Sequence, residues 1–158
     1  MATIINADTS DGLKITSDTS GQIDFQSAGS TKALIDTSGN LKFNSGLGSV
    51  GTAYGCRAWI NFNGTSTPAI RASGNVSSLT DNGTGGYTIN FATNMPDINY
   101  AASSAGTDTA FGGAAFARVV SIVSSTRAVG SVQVTMQYVG ASAAGYFDYD
   151  ENHVSIFR

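Results

Sequence analysis

Ser131-Val-Gln-Val-Thr-Met-Gln-Tyr-Val139 alternates without a break, with Val132, Val134, Met136 and Tyr138 on one side and Gln133, Thr135 and Gln137 on the other. A period of two is that of a strand with one face buried and one face wet. The pattern recurs upstream. Tyr87, Ile89 and Phe91 oppose Thr88 and Asn90, and Ala58, Ile60 and Phe62 oppose Trp59. Further strands are expected at 67–73, 75–80, 98–103, 116–123 and 154–157, punctuated by turn signals such as Asn63-Gly64 and Asp81-Asn-Gly-Thr-Gly-Gly86. About eight strands in a hundred residues predict an all-β, antiparallel, jelly-roll-like sandwich over residues 57–158.

Composition agrees with that expectation. Gly, Ser, Thr and Asn make up 67 of the 158 residues, and only 12% are charged. Helical bundles are built from Ala, Glu, Lys, Leu and Arg, which this chain uses sparingly as a set. A hydrophobic fraction of 41% with a net charge of −3 argues against a disordered chain. Eight Lys and Arg scattered from Lys14 to Arg158 give no basic stripe for a phosphate backbone, so nucleic acid is not an expected partner. The longest apolar runs, such as Ala114–Ala117, fall far short of the ~20 residues of a membrane span. No signal peptide is visible at Met1–Ile5, which predicts synthesis in a cytosol. Cys56 is the lone cysteine, so no intrachain disulfide can form.

The first 46 residues read differently. Asp8-Thr-Ser-Asp-Gly-Leu-Lys-Ile15, Asp18-Thr-Ser-Gly-Gln-Ile-Asp-Phe25 and Asp36-Thr-Ser-Gly-Asn-Leu-Lys-Phe43 form a degenerate repeat, each a turn followed by a short strand. A fourth strand is expected at Lys32–Asp36. The apolar-charged-apolar triplets place Leu13 and Ile15, Ile23 and Phe25, and Leu41 and Phe43 on one face. So few apolar side chains could hardly offset ~1–2 kcal/mol of backbone entropy per ordered residue. Segments below ~40 residues usually need a metal, disulfides or oligomerisation to stand alone. The expectation is that residues 1–46 form a β stem that trimerises through Leu13, Ile15, Ile23, Phe25, Leu41 and Phe43. The competing expectation is extra sheet packed on the C-terminal domain. Residues 44–56 hold four glycines and form a break, with the linker set at 47–56.

Motifs for chemistry are sparse. Asp81–Gly86 lacks the Lys-Ser or Lys-Thr of a phosphate loop and reads as a hairpin turn. With His153 the only histidine, no nucleophile constellation assembles, and no catalytic residue is expected. Cys56 beside Arg57 reads as a small buried residue at a strand start rather than an activated thiol. Asp148, Asp150, Glu151 and His153 are the one dense polar cluster, but their spacing misses that of a calcium loop, and a solvated hairpin is expected. No metal or cofactor is expected. The sequons at Asn63, Asn75 and Asn82 read as turn chemistry.

Two stretches carry a resemblance. Cys56–Thr65, Ala69–Ser78, Asp81–Phe91 and Met95–Tyr100 resemble a module of tail-fibre and other virion proteins of tailed bacteriophages, and Ala2–Gly21 is similar to the start of many small phage structural proteins. The resemblance implies a homotrimeric virion component, made in the host cytoplasm, not an enzyme, and attached to tail, portal-proximal or capsid subunits. A short surface fibre that contacts the host is the leading expectation, and a capsid decoration protein that cements the head shell is the alternative. A polysaccharide-cleaving tip is a third, weaker expectation. Exposed aromatic rings stack on sugars, so Trp59 and Phe111, with the 106–113 loop, are the expected contacts for a host-surface glycan.

Overall fold

The computed structural model describes residues 20–46, 48–107, 116–140 and 144–158. Leu13, Ile15, the first repeat copy and Phe111 lie outside the described residues, as does most of the 106–113 loop. The chain divides into two compact units, Met1–Ala53 and Tyr54–Arg158. Among the described residues every strand pairing is antiparallel.

In the first unit β1 (Ile23–Ser27), β2 (Ser30–Ile35), β3 (Leu41–Phe43) and β4 (Gly51–Thr52) form one sheet in chain order. Part of the stretch expected to be linker is thus paired into the sheet as β4. Two residues, Ala28 (φ 49°) and Gly29 (φ 72°), join β1 to β2. Positive φ at both central positions is the hairpin turn whose twist matches its flanking strands. The repeat motif Asp36-Thr-Ser-Gly builds the next turn. The Asp36 carboxylate accepts from the Ser38 and Asn40 amides, both at 2.9 Å, while Gly39 takes φ 79°. Lys42 Nζ lies 2.8 Å from the same carboxylate.

The second unit is a sandwich of two sheets. One sheet holds β6 (Ala69–Gly74), β5 (Cys56–Asn63), β13 (Glu151–Phe157) and β9 (Ala101–Thr107), in that lateral order. The other runs β10 (Phe116–Ile122), β11 (Ser131–Gly140), β8 (Gly86–Phe91) and β7 (Val76–Asp81), with β12 (Ala144–Tyr146) also paired to β11. Their facing sides make one core, in which Ile60, Phe62, Tyr87, Ile89, Val132, Val134, Met136, Val154 and Ile156 are buried. Met95 and Tyr100, on the connection from β8 to β9, close the same core. Phe62 meets Tyr87 edge-on at 5.1 Å, and Phe91 meets Tyr100 at 6.0 Å, the geometry that aromatic quadrupoles favour.

Hydroxyls and carboxamides take the place of charge on the wet side of the second sheet. Asn90 Nδ2 donates to Ser78 Oγ at 3.0 Å and Thr80 Oγ1 at 3.1 Å. Asn75, at φ 55° between β6 and β7, ties the crossover by donating to the Arg57 and Thr93 carbonyls and accepting from the Thr93 amide. That wiring holds the crossover through a neutral side chain.

The Lys42 side chain, followed by the Asn40 amide, holds the Asp36 carboxyl well below its ordinary range. A carboxyl lowered by folding stabilises the native state above its unfolded pKa of ~3.9 and loses that contribution as pH falls further. In an NMR titration the Ser38 and Asn40 amides should hold their shifts down to about pH 4 and move only below it. Asp36→Asn should flatten that response.

Candidate functional site

Register places the expected self-association residues together. Ile23 pairs with Ile35 and Ile35 with Leu41, while Phe25 pairs with Ala33 and Ala33 with Phe43. Cross-strand partners share a face. Six apolar residues from three strands therefore make one continuous apolar side, including Ile35 and Ala33, which the repeat alone did not reveal. In the single chain Phe25, Ile35, Leu41 and Phe43 remain 37–53% exposed. Asp24 and Lys42 both pair with Leu34 on the opposite side. The sheet thus has an apolar side and an opposite side on which Asp24 and Lys42 flank Leu34.

The 148–153 cluster does a different job from the solvated hairpin expected of it. Asp148 Oδ1 lies 2.7 Å from the Gly85 amide and 2.5 Å from the Tyr87 hydroxyl, joining the β12–β13 connection to the β7–β8 turn. Tyr87 also reaches the Gly64 carbonyl at 2.9 Å. Burial first, then the hydrogen bond to Asp148, pushes its phenol up, so it stays a donor. The Tyr149 carbonyl accepts from the Gly64 amide and from buried Asn152 Nδ2, both at 2.8 Å. This clasp tolerates no side chain at its glycines. A Cβ at Gly64 would sit 2.7 Å from the Tyr87 oxygen, and one at Gly85, where φ is 68°, 2.5 Å from the Met136 carbonyl oxygen. Glu151 and His153 stand together at the surface, 3.4 Å apart. Among the described residues no group of three His, Cys, Asp or Glu could hold a metal ion.

Two aromatic features occupy the wet side of the first sheet of the sandwich. Trp59 forms a lateral row with Gly74, Ser155 and Ser103. Its indole lies over Gly74, where an added Cβ would overlap it, and it stays 43% exposed. Phe157 follows two residues along β13, paired with Ala101. With Ala101, Tyr54, Asn99 and Arg158 it lines an open groove of about 310 Å³. Arg158 is ion-paired with Asp97, and the Asn99 amide donates to the same aspartate at 2.7 Å. These two bonds, the amide's first, hold the Asp97 carboxyl below its usual range.

The sequence drew attention to Trp59 and missed this groove, because Tyr54, Asn99 and Phe157 are scattered and belong to no motif. Cys56, expected to be buried, is exposed, because it begins β5 at the sheet end, where its partner Phe157 is also exposed. Comparison of the chain with protein-family models, curated proteins and solved structures returns no match.

The clasp makes a direct prediction. Asp148→Ala strands the Tyr87 hydroxyl and the Gly85 amide, and should cost about 1–3 kcal/mol in denaturant unfolding. Gly85→Ala, which meets backbone, should cost at least as much, whereas Asp24→Ala at the exposed surface of the N-terminal sheet should stay within about 0.5 kcal/mol.

Proposed function

We propose that the protein is a structural component of a tailed-bacteriophage particle, a short homotrimeric fibre on the virion surface. The chain is made in the host cytoplasm. Residues of the first unit join three copies and attach them to neighbouring virion proteins, and the C-terminal sandwich carries the surface that meets the host. The observation that carries this reading is the apolar side built by Ile23, Phe25, Ala33, Ile35, Leu41 and Phe43, of which Phe25, Ile35, Leu41 and Phe43 stay 37–53% exposed in the single chain.

The physical argument is one of cover. Aromatic and aliphatic side chains gain roughly 25 cal/mol for each Å2 of apolar surface removed from water. A three-residue strand and a two-residue strand add little to hold such a sheet by itself. Identical copies offer the same apolar side, and symmetric closure of that side on itself leaves no patch free. The resemblance of Cys56–Tyr100 to phage fibre modules supports the location on a virion. Low charge suits interdigitated β interfaces, because few ions must be desolvated.

Sedimentation tests the assembly. The full chain should sediment at three times its 16.2 kDa mass. Leu41→Asp and Phe43→Asp should each bring it to the monomer while the far-ultraviolet spectrum of the sandwich persists. A monomeric wild-type chain at micromolar concentration would overturn the trimer. Imaging of particles that carry the labelled protein tests the location: a dozen or fewer clusters at tail or vertices fit a fibre, and hundreds across the shell fit decoration.

A further inference from the structure

We propose that the groove between Tyr54 and Phe157 is a binding site for a neutral saccharide. The inference deepens the host-contact half of the reading above and rests on that half, not on trimer formation. Three observations carry it.

First, the groove presents aromatic surface that the fold does not use. Tyr54 is 71% exposed and Phe157 39% exposed, and Ala101 beside Phe157 leaves the floor low. The C–H faces of a pyranose ring pack on such rings, as apolar patches do in general. Ordinary ligand pockets run from ~300 to 1,000 Å3, and a groove of about 310 Å³ is at the small end, suited to one or two sugar rings.

Second, the polar groups at the rim are those that read hydroxyls. Asn99 lines the groove, and its backbone amide, rather than its side chain, serves Asp97. That leaves a carboxamide with both donor and acceptor capacity for a sugar diol. Arg158, held by Asp97, stands beside Asn99 on the groove lining.

Third, the charges cancel in place. Arg158 and Asp97 are bound to each other, so the guanidinium lining the groove is already partnered by a carboxylate that a carboxylated or sulfated sugar would have to meet. An anionic ligand would have to displace Asp97 from Arg158 or leave its own charge unpaired. The chemistry selects a neutral polyhydroxyl ligand. Ser103 and Ser155 on the adjoining row extend the floor toward Trp59, giving a longer chain a second aromatic platform.

Saturation-transfer NMR on the full protein, with neutral hexasaccharides of glucose, galactose and N-acetylglucosamine at millimolar concentration and a sialylated oligosaccharide as the anionic probe, tests the assignment. At least one neutral probe should bind. Tyr54→Ala should weaken it about tenfold, the loss of one ring's stacking, and Asn99→Ala severalfold. Tyr146→Ala, an exposed ring on the other sheet, should leave binding unchanged. No binding by any neutral probe would overturn the proposal, as would binding that survives Tyr54→Ala or is confined to the sialylated probe. Sedimentation of the same samples separates the two readings: intact trimers that bind nothing remove the groove alone. Trimers lost on Tyr54→Ala would assign the groove to contact between copies and also overturn the saccharide site.

Discussion

An apolar sheet side must lie against another apolar layer, and the two units of this chain meet that constraint in opposite ways. In the sandwich, β5 and β13 face β8 and β11, and side chains such as Phe62, Val132 and Val134 lose all contact with water. In the N-terminal sheet, Phe25, Ile35, Leu41 and Phe43 line one side and keep 37–53% of their surface in water. A sheet of short strands joined by tight turns has its pairing specified locally, but its packing is left to whatever covers it. That asymmetry is what the proposed trimer would relieve.

The sandwich is tied by a few long-range polar contacts. Its open end is tied by Asp148, Tyr87, Gly64, Tyr149 and Asn152, and its crossover is tied by Asn75. Backbone carbonyls do most of the accepting, and side-chain hydroxyls and carboxamides most of the donating. Tight approach of chain to chain is possible only where side chains are absent, which is why Gly64 and Gly85 stand at the clasp. The abundance of Gly, Ser, Thr and Asn that first marks the composition is therefore the material of the loops and of the wet sheet face.

Much of the fold is legible in the sequence because period-two patterning is strong wherever a strand has one buried side. Ala58, Ile60 and Phe62, Tyr87, Ile89 and Phe91, and Val132, Val134 and Met136 all face the core as their alternation implies. Tyr138, the last of its series, is only half-buried, because it lies beyond the core's edge, near β12. Non-local chemistry is harder to read. Asp148 lies more than sixty residues from Gly85 and Tyr87, so its role appears only when the chain is folded. The groove at Tyr54 and Phe157 joins the two ends of the C-terminal unit, and no local spacing announces it. Leu41 and Phe43 were visible as a repeat, but Ala33 and Ile35 joined them only through register.

The central claim is that the stem's apolar side is covered by sister copies. Hydrogen exchange of the Ala33, Leu41 and Phe43 amides across a dilution series tests it most directly. If copies supply the cover, protection at these amides falls as the protein is diluted through its dissociation range, while protection at Ile89 and Val134 in the sandwich stays constant. Equal protection of the stem at every concentration, down to the monomer, would contradict the account.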